Sequence, residues 1–101
     1  MVSAKDIIGA ELKYKIEIIA GGFSMEEDNF EVVLKCGSKK RTITKDQMVN
    51  DEQGNFYIVV DTNGFKPGDL FAFTYAYVPD HDCPDGLRTE VDKYKLTTLT
   101  Y

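Results

Sequence analysis

Chemistry-bearing side chains crowd into one short stretch. Between Pro79 and Gly86 stand Asp80, Asp82 and Asp85, the sole histidine (His81) and one of the two cysteines (Cys83), with Pro84 among them. Clustered aspartates offer hard oxygen ligands, the chemistry of a calcium site. An EF-hand loop also needs an oxygen ligand at position 5, Gly at 6 and a bidentate Glu at 12. Counted from Asp80, position 5 is Pro84, Gly86 falls at 7 and Val91 at 12. That register fails, and a looser calcium loop on Asp80, Asp82 and Asp85 is what remains of the idea. Zinc would use His81 and Cys83, but a structural site takes four donors and the other thiol, Cys36, is distant in the chain. A Cys83–His81 nucleophile pair would need a base, an orienting group and an oxyanion hole, and no part of the sequence marks them.

The same residues also have a conformational reading. Pro79 restricts Val78 to extended geometry and so ends the preceding strand. Cys83-Pro84-Asp85-Gly86 suits a turn, with Pro at the second position and Gly at the fourth. Asp80 and Asp82 can accept bonds from backbone amides just ahead of them, and Arg88 can pair with the acids. Pro79, Pro84, Gly86 and Arg88 are therefore expected to be structural.

The elements that position this loop follow a period of two. In "LFAFTYAYV", Leu70, Ala72, Thr74, Ala76 and Val78 fall on one face, and Phe71, Phe73, Tyr75 and Tyr77 on the other, neither of them charged. Two readings follow. Either the rings form the inner face, or the small residues do and the rings make an outer contact surface, since clustered Tyr and Phe supply contact area at low entropy cost.

Leu12, Tyr14, Ile16, Ile18 and Ala20 alternate with charged neighbours, which predicts a strand through Ala20. Phe30, Val32, Leu34 and Cys36 repeat the pattern, and Gly37-Ser38 then predicts a two-residue hairpin into "KKRTIT". Thr44 and Gln47 suggest a capping box and one helical turn over Lys45–Asn50. "FYIVVD" reads as a central strand apolar on both faces. Pro67-Gly68 suits a type II turn. "RTEVDKYKL" is a further strand that "TTLTY" extends or follows, and Ser3 is placed to cap a short helix over "SAKDII". The expected fold is all-β: an Ig-like antiparallel β-sandwich of about six or seven strands with one short helical turn, forming a single domain over 1–101, with a small barrel as the competing closure.

Bulk properties narrow the function. The chain has 101 residues and a net charge of −5, which argues against a nucleic-acid partner; the one basic cluster, Lys39-Lys40-Arg41, reads as a solvated turn. No signal-peptide core and no apolar run of membrane-spanning length occurs, so synthesis in the cytoplasm and no membrane association are expected. Two cysteines without an export signal point to free thiols. The phosphate-loop, dinucleotide, nucleophile-elbow and zinc-protease motifs are missing, so no catalytic residues and no enzyme are expected.

The run "GNFYIVVDTNGFKPGDLFAFTYAYVPDHDCPDGLRTEV" joins an aromatic strand ending Asp-Thr, a Pro-Gly turn and an alternating strand. It closes on Pro-Asp-x-Asp-x-Pro-Asp-Gly-x-Arg-Thr-Glu, here Pro79 to Glu90. In this it resembles a group of small β-sandwich proteins encoded by phages and prophages of gut Bacteroidetes. The likeness covers less than half of the chain. It departs at Cys83, where the group usually carries a bulky aromatic, which puts the loop's packing in question. The resemblance implies a virion or other mobile-element component, such as a head-fibre or baseplate accessory domain, and no catalytic residues.

The expected function is thus a non-enzymatic structural domain that assembles with itself, as a homo-oligomer, or with other structural proteins, through Phe71, Phe73, Tyr75 and Tyr77. No cofactor is expected beyond the loose calcium idea. The alternatives are a carbohydrate-binding module, with the tyrosines as a stacking platform, and a small metal-dependent enzyme centred on His81.

Overall fold

Two sheets face each other across one apolar core. The computed structural model describes residues 5–101. In chain order its elements are β1 (Lys5–Ile7), β2 (Glu11–Ile16), β3 (Phe30–Cys36), β4 (Lys39–Thr44), a 3₁₀ turn (Lys45–Gln47), β5 (Val49–Asn50), β6 (Phe56–Asp61), β7 (Gly68–Pro79) and β8 (Leu87–Thr100). The larger sheet runs β1-β8-β7-β3-β4 and the smaller β2-β6-β5. A three-stranded sheet facing one with a β8-β7-β3 centre is the Ig-like arrangement expected. The described residues form eight strands rather than six or seven.

Alternation builds the core. Phe30, Val32, Leu34 and Cys36 of β3, Phe56, Ile58 and Val60 of β6, and Leu70 and Ala72 of β7 are buried between the sheets. Phe30 stands edge-on to Phe23 and Phe56, with ring centroids 6.1 and 5.2 Å away. Each fully buried Leu, Ile or Phe contributes about 1.5–3 kcal/mol. The two-residue Gly37-Ser38 hairpin forms as expected, with Cys36 opposite Lys39.

Several expectations need correction. The sandwich is not wholly antiparallel: β1 pairs parallel to the end of β8, Lys5 opposite Thr98 and Ile7 opposite Thr100. The expected helix over 3–8 is therefore wrong from Lys5 on, because ladder pairing outweighs local propensity; Ser3 and Ala4 lie outside the described residues. β2 ends at Ile16 and not at Ala20, since β6 begins at Phe56, directly opposite Ile16, leaving Glu17 onward nothing to pair with. The helical turn stops at Gln47, whose side chain accepts from the Thr44 N–H at 3.0 Å, and Val49–Asn50 pair with β6 instead. β6 is central in its sheet but covered on one face only; Val59 is 45% exposed.

The type II turn is also misplaced. It lies at Thr62–Phe65, where the Phe65 N–H donates to the Thr62 carbonyl at 3.2 Å and Gly64 supplies φ +92°. Gly68 has φ +151°, outside type II geometry, and opens β7. "TTLTY" is no separate strand, since Thr97–Thr100 continue β8 past a bulge. Leu70 faces Thr97 while Phe71 faces Lys95, so Leu96 is the extra residue. No helix among the described residues is long and apolar enough to cross a membrane.

Candidate functional site

β7 is flanked on both sides, by β3 and β8, so its two faces define the two faces of the larger sheet. Leu70, Ala72, Thr74, Ala76 and Val78 are all buried on the inner side. Phe71, Phe73, Tyr75 and Tyr77 are therefore on the outer side, each partly exposed. Of the two sequence readings, the outward one is the arrangement found.

Register fixes what surrounds the rings. Across β4, β3, β7 and β8 the outer face reads in rows: Lys40, Lys35, Phe71, Lys95; then Thr42, Val33, Phe73, Lys93; then Thr44, Glu31, Tyr75, Val91. Tyr77, opposite Thr89, closes the stripe. The Lys35 ammonium sits 4.9 Å from the Phe73 ring centre, and that of Lys93 lies 4.5 Å from Phe71 and 5.6 Å from Phe73. Such contacts attract a cation to the ring face and lay its aliphatic stem over apolar surface. Val33 is only 6% exposed here although no second layer covers it, which shows how closely its neighbours pack.

The other end of the stripe is anionic. The Tyr77 hydroxyl donates to the Glu31 carboxylate, and this bond, with burial and the Glu31 charge adding to it, pushes the phenol up to about 12. The face is thus polarised, with four lysines around Phe71 and Phe73 and a carboxylate beside Tyr75 and Tyr77. The lysine cluster was overlooked at the sequence level because its members come from β3, β4 and β8. Only strand register brings them together.

The Pro79–Gly86 loop adjoins Tyr77 and consists of two consecutive turns. The Cys83 N–H donates to the Asp80 carbonyl at 3.2 Å, and the Gly86 N–H to the Cys83 carbonyl at 2.9 Å. The Asp80 N–H donates to the Gly86 carbonyl at 2.9 Å and closes the loop. Cys83-Pro84-Asp85-Gly86 is the turn its residue types suggest. Asp80 accepts the Asp82 N–H at 3.0 Å on one oxygen and Arg88 at 2.5 Å on the other. The Asp82 amide first, and Arg88 second, hold its carboxyl below the usual carboxylate range.

Asp80, His81 and Asp82 come within 4.8 Å of one another, but both Asp80 oxygens are already engaged. His81 is 96% exposed beside Asp82, at 3.4 Å. Asp85 is exposed and does not join that group. Cys83 is half-buried, and Cys36 is buried with its Sγ donating to the Lys66 carbonyl at 3.4 Å; both are free thiols. Burial first, then the Asp69 charge, pushes the Cys36 thiol up, which makes it less reactive.

No family model matches the chain, and no match is found among curated proteins or solved structures.

Proposed function

We propose that the protein is a non-enzymatic β-sandwich assembly domain, and that it docks through the outer face of its larger sheet. The observation that carries this reading is the orientation of β7: four aromatic side chains face outward while the small residues between them fill the core. A polarised aromatic surface provides both the buried area and the register that a specific contact needs.

The charge balance supports assembly with further copies of the chain. Four lysines frame this face of a molecule whose net charge is −5, so the remaining surface is more acidic than the total. A lysine-rich face meeting an acidic surface of another copy is a heterologous contact, which closes a ring or extends a fibre. That geometry agrees with the virion or mobile-element component that the Pro79–Glu90 resemblance implies.

The carbohydrate-binding alternative has less to stand on. Lysines already lie over Phe71 and Phe73, Tyr77 is bonded to Glu31, and Asp80 is bonded to Arg88.

Light scattering on a sizing column, run at several concentrations, tests the proposal. The expected result is a discrete oligomer, unchanged by calcium or chelator, whose mass falls as salt is added. Phe71→Ser with Phe73→Ser should give a folded monomer. A wild-type protein that stays monomeric at every concentration would overturn the assembly reading, and a calcium-dependent mass would restore the binding-module alternative.

A further inference from the structure

The sandwich is open along one side, between β8 and the stretch Glu17–Ala20, which follows β2 and belongs to no ladder. A groove of about 480 Å³ runs there, with Tyr14, Ile16 and Ile19 on one wall and Tyr94 and Leu96 on the other. A second hollow of about 310 Å³ continues it past Ala76. The floor is β7, where Ala72 and Ala76 stand on either side of Thr74 and, being small, leave the space open. Ile19 is 93% exposed at the mouth and Tyr94 47%.

Two polar side chains converge in this apolar setting. Thr74 is 3% exposed, and its hydroxyl forms no hydrogen bond among the described residues. Every enclosed polar side-chain atom among those residues has a partner, so this hydroxyl is reached from the groove that Thr74 lines. Asp92 stands directly opposite Thr74 in the β7–β8 ladder, on the same inner side as Tyr94, which is opposite Ala72. Residues so paired hold their Cβ atoms about 4.5–5.5 Å apart, close enough for both side chains to reach one bound group. The other charged residues lining the two hollows have partners: Lys15 pairs with Glu17 at 3.8 Å, and Glu90 with Arg88 at 4.0 Å. Asp92 forms no ion pair among the described residues.

We propose that the groove binds a small organic cation, an aromatic body carrying one primary ammonium group. The ammonium donates to the Asp92 carboxylate and to the Thr74 hydroxyl, while the body lies between the walls and covers Ile19 and Tyr94. An apolar cleft with a few convergent polar groups is the usual form of a small-molecule site. An anion of the same shape would be repelled by Asp92. A neutral body would displace water from the carboxylate without returning a charged donor. The groove is on the inner side of β8 and the aromatic stripe on the outer face, so the proposal does not rest on the assembly reading.

The test is an NMR titration of the whole chain with tryptamine, and with three compounds that each lack one feature. Tryptophol has the same body and a hydroxyl for the amine, indolepropionate has a carboxylate, and ethylamine has the amine without the rings. The expected result is saturable binding of tryptamine, with shifts at Thr74, Asp92 and Tyr94, and binding of the other three about fivefold weaker or less. Asp92→Asn, at an exposed position, should weaken tryptamine by about fivefold or more and abolish its advantage over tryptophol. Thr74→Val, which keeps the shape, should weaken it about two- to tenfold. No saturable binding up to about 10 mM, equal binding of the three indoles, shifts confined to the outer face, or indifference to either substitution would overturn the proposal.

Discussion

Tyr77 and Glu31 meet on the outer face of the larger sheet, and their hydrogen bond exists only while the phenol keeps its proton. A tyrosine ordinarily ionises near ~10, and here the value is pushed up to about 12, chiefly by that bond. A raised native value contributes stability in full below the unfolded value and loses it as pH climbs through the native one. Urea unfolding should therefore show stability declining between roughly pH 10 and 12. In Glu31→Gln, titration followed by tyrosinate absorbance should lose its latest-ionising tyrosine, and the alkaline decline should flatten. Asp80 behaves in the opposite sense. The Asp82 amide, then Arg88, lower its value, so its contribution is complete above about pH 4 and disappears as pH falls through the lowered native value. Asp80→Asn should reduce the loss of thermal stability between neutral pH and about pH 3, and an unchanged acid profile would show that the Asp80 charge does not contribute to stability.

Connections hold the two sheets in relation, and Thr62 is the clearest case. Buried between β6 and β7, its hydroxyl donates to the Ala10 carbonyl at 2.6 Å and accepts the Gly9 N–H at 2.9 Å, tying down the β1–β2 link. Thr62→Val keeps the shape but leaves the Gly9 amide without its acceptor. It should cost about 1–3 kcal/mol in chemical denaturation, while Thr62→Ser should cost less. The strands that read easily from the sequence were those whose alternation ended at a sharp turn signal, such as Phe30–Cys36 before Gly37-Ser38. Where alternation outran its partner, as at Glu17–Ala20, the periodicity gave no warning, because a ladder's length depends on the neighbour as well as on the strand. The bulge at Leu96 hid the final stretch of β8 in the same way: one extra residue changes which side the following side chains take. The Pro79–Gly86 loop was the most legible part of the candidate site, since its proline, glycine and aspartates each act locally.

At the scale of the whole molecule, one small core carries the fold. Phe30→Ala removes a fully buried ring that touches both sheets, and should cost about 3–5 kcal/mol. Against the roughly 5–15 kcal/mol available to a domain of this kind, the variant should melt well below the parent in calorimetry. The orientation of the aromatic stripe could not be read from the sequence for a related reason. A period of two says which side chains share a face, and only the position of β7 between β3 and β8, with the smaller sheet beneath, decides which face is inside. The lysines around Phe71 were illegible because they depend on register across three other pairings. The parallel pairing of β1 with the end of β8 has a mechanical consequence. Tension applied to the chain before Lys5 and after Thr100 draws the two strands in opposite directions along their shared ladder. The load then falls on all of its hydrogen bonds together, in shear, whereas a pull that peels β8 from β7 at the Pro79–Gly86 loop breaks them one after another. Single-molecule stretching through the chain ends should therefore need more force than stretching through that loop.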